Sequence, residues 1–241
     1  MNKLLFLFLL FPIFAFNQSN LYPKSKGQLV NHSYYSLSYN ENHEQAEWVY
    51  YFLTSDMING NYKRSDNFRE DSKILTGSAS KSDYYKSGYD RGHLAPAGDM
   101  KISRISMSES FLLSNISPQN PSFNRGVWKN LESQIRSWVL SEGDMYIVTG
   151  PVLVKPIGSI GLNNVTVPSS FYKIVYSKSD NKMIGFVIPN CKTSNNLKDY
   201  VKSVDYIENL TDIDFFYDLE KIIQDDLESK INIKKWYFTN K

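Results

Sequence analysis

The sequence predicts a mixed fold in which strands and helices share one core. Three observations carry that expectation. Aromatic residues make up 15% of the chain, with 17 Tyr and 14 Phe, a usage that suits strands. Apolar runs of strand length recur between residues 29 and 188, and one stretch, Asn124 to Ser141, repeats its apolar residues at helical spacing. A hydrophobic content of 41% over 241 residues is enough for one substantial core, and no linker or internal repeat divides it.

Met1-Asn2-Lys3 precedes an almost wholly apolar run from Leu4 to Phe16, the charged and hydrophobic regions of a secretory signal peptide. The run falls short of the ~20 residues that span a bilayer, so a retained anchor is the lesser alternative. Cleavage is expected between Ala15 and Asn20, and no cysteine follows that could carry a lipid. The expected organisation is a leader over 1–19 and a single domain over 20–241, giving a secreted or periplasmic product with no stable membrane association.

Beyond the leader, Leu29–Leu37 and Glu47–Leu53 read as strands around a polar loop, and residues 59–88 as a long irregular segment. Phe111–Leu113 and Met145–Val148 read as buried strands, the second ended by Gly150-Pro151. Tyr172–Tyr176 and Met183–Ile188 read as a hairpin, and residues 196–230 as mostly helical. In the clear helix Trp128, Leu131, Ile135, Trp138 and Val139 share a face, with Pro121-Ser122 as the start signal and Gly143 as the stop. On one continuous helix Asn124 and Glu132 would share a side, about 80° apart in rotation, but ~12 Å apart along the axis. One direct metal ligand and one water-mediated partner fit that spacing better than two direct ligands.

Net charge is only +2, but it is unevenly placed. Residues 63–136 hold twelve Lys and Arg against eight acids, whereas residues 199–228 hold ten acids against two lysines. Such a chain would dock a polyanion at its middle. Ordinary solvated faces explain the counts equally well. Cys191 is the only cysteine and there are three histidines, which excludes a disulfide framework and argues against a cysteine- or multi-histidine-bound metal.

The chemistry concentrates in Asp90-Arg91-Gly92-His93-Leu94-Ala95-Pro96-Ala97, with Asn115, Asn124 and Glu132 downstream. Phosphodiester hydrolysis needs a base for water, a neutraliser of phosphate and support for the departing oxygen. A neutral histidine serves the first, arginine the second, and a hard divalent ion on oxygen ligands the third. His93, Arg64 or Arg91, and Asn124 can supply them in that order. Gly92 would admit close backbone approach, and Pro96 would end the strand. Each residue also has a plain reading: His93 as a hydrogen-bonded structural residue, Arg91 as partner of Asp90 or Asp99, Asn124 as a helix cap, Glu132 as a solvated residue.

Taken together the motifs resemble the DNA/RNA non-specific endonucleases, the endonuclease G-like group with a ββα-metal site. Asp90 to Ala97, Phe111 to Gln119 and Asn124 to Glu132 carry the resemblance, with Trp48 to Tyr51, Arg64 to Asp71, Val148 to Pro151 and Leu210 to Phe216 extending it. It implies an α+β fold with a central, mostly antiparallel sheet and a ββα-metal (His-Me finger) unit. It implies His93 as general base, Asn124 as the single direct ligand of a hydrated Mg²⁺ (Mn²⁺ being the alternative), and Glu132 as holder of a metal-bound water. Asn115 would order the site, Arg91 would support it or face phosphate, and Arg64 would contact the scissile phosphate. Arg125 stands where the family commonly has Gln, a change expected to touch local hydrogen bonding or nucleic-acid affinity. DNA and RNA would both be substrates, read through their phosphates. Relatives that dimerise point to a homodimer, and the toxicity of a leaked nuclease points to an inhibitor protein.

Two other classes compete. Ser78-Ala79-Ser80-Lys81 fits a serine acyl-enzyme motif formally, but it stands in a Ser- and Lys-rich loop without companion motifs. A non-catalytic nucleic-acid-binding protein would keep the basic middle while having no use for His93, Asn124 and Glu132 together.

Overall fold

The computed structural model describes residues 21–239; the expected leader lies outside the described residues. Eleven strands are described: β1 (Gln28–Asn31), β2 (Ser36–Asn40), β3 (Gln45–Leu53), β4 (Asp90–His93), β5 (Ile116–Gln119), β6 (Met145–Val152), β7 (Gly158–Ile160), β8 (Val165–Val167), β9 (Ser170–Ser177), β10 (Lys182–Pro189) and β11 (Val201–Lys202). The helices are α1 (Ser55–Asn59), α2 (Lys81–Tyr84), α3 (Arg104–Glu109), α4 (Pro121–Phe123), α5 (Lys129–Glu142), α6 (Val204–Thr211) and α7 (Lys221–Glu228). Seven strands form one sheet in the order β1-β2-β3-β6-β9-β10-β11, antiparallel at every pairing. The fold is therefore α+β around a central antiparallel sheet.

Strand alternation sorts the sheet's side chains between two cores. Along β6 and β9, Met145, Ile147, Phe171 and Val175 face one core; Tyr146, Val148, Tyr172, Ile174 and Tyr176 face the other. The first core is closed by α5 through Leu131, Ile135, Trp138 and Val139, the face expected from the sequence. Each such side chain contributes ~1.5–3 kcal/mol by leaving water. The second is closed by Val204 and Ile207 of α6, Phe215, Phe216 and Leu227 of α7. A third cluster, with Phe68, Phe111 and Ile116, lies under the separate antiparallel ribbon β4–β5.

Four expectations need correction. Leu29–Leu37 is not one strand: the backbone turns between Asn31 and Ser36, where the His32 amide donates to the Tyr35 carbonyl, making a hairpin. Phe111–Leu113 is buried but makes only a single bridge, Arg69 to Leu112, before a 3-10 turn over Leu113–Asn115. Gly150-Pro151 does not end β6, which runs on to Val152. The tail is only partly helical, since a 3-10 turn and β11 precede α6 and an irregular segment separates it from α7.

The expected helix also departs from ideality where it matters. Asn120 caps its start by accepting from the Ser122 amide, and Pro121 sits in the first turn. Residues 124–128 form a π-type turn in which Gly126 leaves helical geometry (φ −104°, ψ −111°). Regular α-helix begins only at Lys129 and stops at Gly143, whose φ of +99° favours glycine. The angular offset expected between Asn124 and Glu132 assumed one unbroken helix and does not apply. Asn124 is also no N-terminal cap, since Asn120 fills that role.

Gly92 packs its α-carbon against the buried Gln119 across the ribbon, where an added Cβ would sit 2.1 Å from the Gln119 carboxamide carbon. Gly92→Ala is expected to lower stability by about 1–3 kcal/mol, the usual cost of overpacking, and a smaller midpoint in urea unfolding checks it.

Candidate active site

The ribbon β4–β5 and the kinked helix following it enclose one end of the sheet. Between them opens a cleft of about 500 Å³ lined by Arg64, Arg91, His93, Asn124, Arg125, Lys129, Glu132 and Arg136, with the 96–98 turn as its wall. Every site residue expected from the sequence lies here except Asn115. That residue is fully buried behind the strand, where its Oδ1 accepts from the Ala95 amide and its Nδ2 donates to the Ala95 and Ser110 carbonyls. It therefore fixes the turn that follows His93 without reaching the cleft. A larger cleft of about 640 Å³ beside α5, lined by Asn130, Gln134, Asn195 and Lys198, holds no histidine or carboxylate among its lining residues.

His93 ends β4 opposite Ile116 and is 8% exposed. Its ring packs on Phe68 and Phe111 at centroid distances of 5.5 and 4.9 Å. Burial, reinforced by Arg64 and Arg91 nearby, pushes its pKa down to about 3, so the imidazole is neutral at physiological pH. Its Nε2 is closed to solvent and has no hydrogen-bond partner among the described residues. The same two phenylalanines carry the arginines: the Arg91 guanidinium lies 4.3 Å from the Phe68 ring centre and that of Arg64 4.9 Å from Phe111. Arg91 thus pairs with neither Asp90 nor Asp99. Arg64 also donates to Asp66 at 2.7 Å.

Asp90 at the other end of β4 organises the kink. Its Oδ2 accepts from Asn124 Nδ2 at 2.9 Å, and both its oxygens accept from Arg125 at 2.8 and 2.6 Å. Burial alone would raise the Asp90 carboxyl, but the hydrogen bonds from Arg125 and Asn124 hold it below the usual carboxylate range. Because Asn124 spends its amide group on Asp90, its carbonyl oxygen Oδ1 is left as an acceptor. Arg125 is thereby a clamp on the carboxylate that aims Asn124.

Glu132, in the first turn of α5, is half-buried rather than solvated. Beneath it Asp99 accepts from Tyr51 at 2.8 Å and from Arg136 at 2.8 Å. An amide oxygen and a carboxylate on one cleft, without sulfur or a second histidine, form a donor set suited to a hard divalent ion that keeps most of its waters. Sequence reading missed Asp99, Arg136, Lys129 and the phenylalanine floor. Arg136 had a signal, lying four residues after Glu132 on the helix; Asp99 had none.

A neutral histidine and an asparagine carbonyl, one on a strand of a two-stranded ribbon and the other on the helix after it, define the arrangement of ββα-metal nucleases. Residues 16–222 match the model of the DNA/RNA non-specific endonuclease family. The chain belongs to that family and is a nucleic-acid hydrolase, an endonuclease. It is 38% identical over 214 residues to a nuclease of Nostoc sp., covering 82% of this chain and 76% of that one. Identity is 34% over 218 residues with the mitochondrial nuclease EXOG of Danio rerio, covering 83% of this chain and 64% of the relative. With human mitochondrial endonuclease G it is 34% over 178 residues, 68% and 60% of the two chains. Among solved structures, EndoG in its complex with EndoGI, described as showing the mechanism of EndoG inhibition, superimposes with a TM-score of 0.76 at 31% identity, covering 81% of this chain and 88% of that one.

The depressed pKa of His93 makes a stability prediction. Between pH 6.5 and about 3 the unfolded histidine binds a proton that the folded one refuses, so this group's contribution is complete above 6.5 and is lost as pH falls through that window. His93→Gln is expected to flatten the decline of melting temperature from pH 6.5 to 3.5 relative to wild type, as read by circular dichroism.

Proposed function

We propose that this cleft hydrolyses phosphodiester bonds of DNA and RNA without sequence preference, with His93 as general base. The observation that supports it most is the neutral His93 and the free Oδ1 of Asn124 opening on one arginine-lined cleft. With Nε2 closed off, Nδ1 is the nitrogen through which His93 reaches a water and takes its proton. Arg64 and Arg91, each set over a phenylalanine ring, supply the positive charge and the donors for the phosphate. Arg125 and Lys129 extend the positive rim along a nucleic-acid backbone, and Asn115 keeps the turn after His93 in place.

Asn124 through Oδ1 and Glu132 through water would hold a divalent ion, Mg²⁺ or in its place Mn²⁺. When bound, that ion supplies charge stabilisation at the phosphate and the departing oxygen. Contacts made to phosphate rather than to base edges support acceptance of both nucleic acids.

The reading extends to the setting. The leader over residues 1–19 supports export of a single domain, residues 20–241, to the periplasm or medium. No described helix is long and apolar enough to cross a membrane. Pairing into a homodimer and control by an inhibitor protein belong to the same proposal, the second supported by the inhibitor complex of the similar EndoG structure.

The test is digestion of plasmid DNA and total RNA by the leaderless protein, with Mg²⁺ or EDTA, beside His93→Ala. Loss of both substrates only with Mg²⁺, reduced by at least ~100-fold in the variant, is expected. Intact substrates under every condition would reject the proposal.

A further inference from the structure

The α5-facing row of β9 reads Phe171, Lys173, Val175, and its lysine stands where the strand alternation calls for an apolar side chain. Lys173 is 0% exposed. Lysine is almost never buried this completely, because an ammonium without water or a partner is costly. Among the described residues Lys173 makes no direct ion pair. Its Nζ instead lies 3.4 Å from the carbonyl oxygen of Leu94 and 4.8 Å from the ring centre of Trp128.

Both contacts belong to the catalytic unit. Leu94 directly follows His93, and Trp128 closes the kinked segment between Asn124 and Glu132. The ammonium also feels the acids above it. Burial pushes the Glu132 carboxyl up, and Lys173 is the strongest influence drawing it back; burial pushes the Lys173 ammonium down, and Glu132 is the strongest influence restoring it. Asp99 and Arg136 act on both groups more weakly, with Arg64 also facing Glu132.

We propose that Lys173 is a positioning residue of the nuclease site: from beneath, its ammonium braces the backbone after His93 against the base of α5 and sets a counter-charge under Glu132. This rests on the role given to Glu132 above. A lysine serving only to fill space would be replaceable by methionine, which has nearly its volume and no charge. An ammonium buried without a direct ion pair is costly to fold, and methionine carries no such cost. The effect expected of Lys173→Met is therefore on the site.

The test compares wild type, K173M, K173R, E132Q and K173M/E132Q. Melting temperature, Mn²⁺ affinity by calorimetry, and kcat and KM on plasmid DNA are read for each. Expected for K173M is a melting temperature at or above wild type and a ~10–100-fold loss in kcat or Mn²⁺ affinity, the usual effect of removing a group that orients a metal site. KM for DNA should be nearly unchanged. K173R should recover part of the loss, and adding K173M to E132Q should cost much less than adding it to wild type. Equal losses in both backgrounds, or a K173M protein that loses folding while its folded fraction keeps full Mn²⁺ affinity, would reduce Lys173 to a packing residue and overturn the inference. A wild type that neither cleaves DNA nor binds Mn²⁺ would instead overturn the reading of the cleft on which it rests.

Discussion

The site depends first on the bond between Asp90 and Asn124. Asn124 lies in a helical segment that Gly126 has broken, so helix geometry alone does not say where its side chain goes. The Asp90 carboxylate settles that by accepting a hydrogen from the amide nitrogen, which leaves the carbonyl oxygen free. Arg125 then keeps Asp90 ionised and in place. Strand β4 consequently carries His93 at one end and Asp90, the support of the Asn124 amide, at the other, three residues apart. Its pairing with β5 sets the separation of the two.

The rest of the cleft follows the same economy. Phe68 and Phe111 sit under three cationic or titratable groups at once, desolvating His93 so that it stays neutral and carrying two guanidiniums over their rings. A neutral imidazole next to two fixed positive charges is poised to lose no time to protonation, and the same charges attract phosphate. Asp99, tied to Tyr51 and Arg136, keeps the lower part of the site from becoming a field of unopposed positive charge.

Much of this was legible in the sequence, and for different reasons. The helix face through Leu131, Ile135 and Trp138 follows from period alone, and strands β3, β6, β9 and β10 from apolar runs of strand length. The cleft-lining His93, Arg91, Arg64, Asn124, Arg125 and Glu132 were legible because short motifs group them. What stayed hidden depends on long-range contact. Leu29–Leu37 folds back on itself with only Asn31 and Ser33 as turn signals, without the glycine or proline that marks a turn more strongly. The π-type turn at Gly126 looks like ordinary helix in an apolar pattern, and it undoes a rotation counted along an ideal axis. Lys173 was visible as a charge inside a strand, but its meaning appears only once β9 is seen to pass under α5.

As proposed, Asn124, aimed by Asp90, would present a divalent ion to the phosphate in this cleft. Anomalous diffraction from crystals soaked in Mn²⁺ tests it most directly. One strong peak is expected beside Asn124 Oδ1, with Glu132 reached through water, and no peak there in Asn124→Ala crystals. A peak held elsewhere, or one that survives the substitution unchanged, would contradict it.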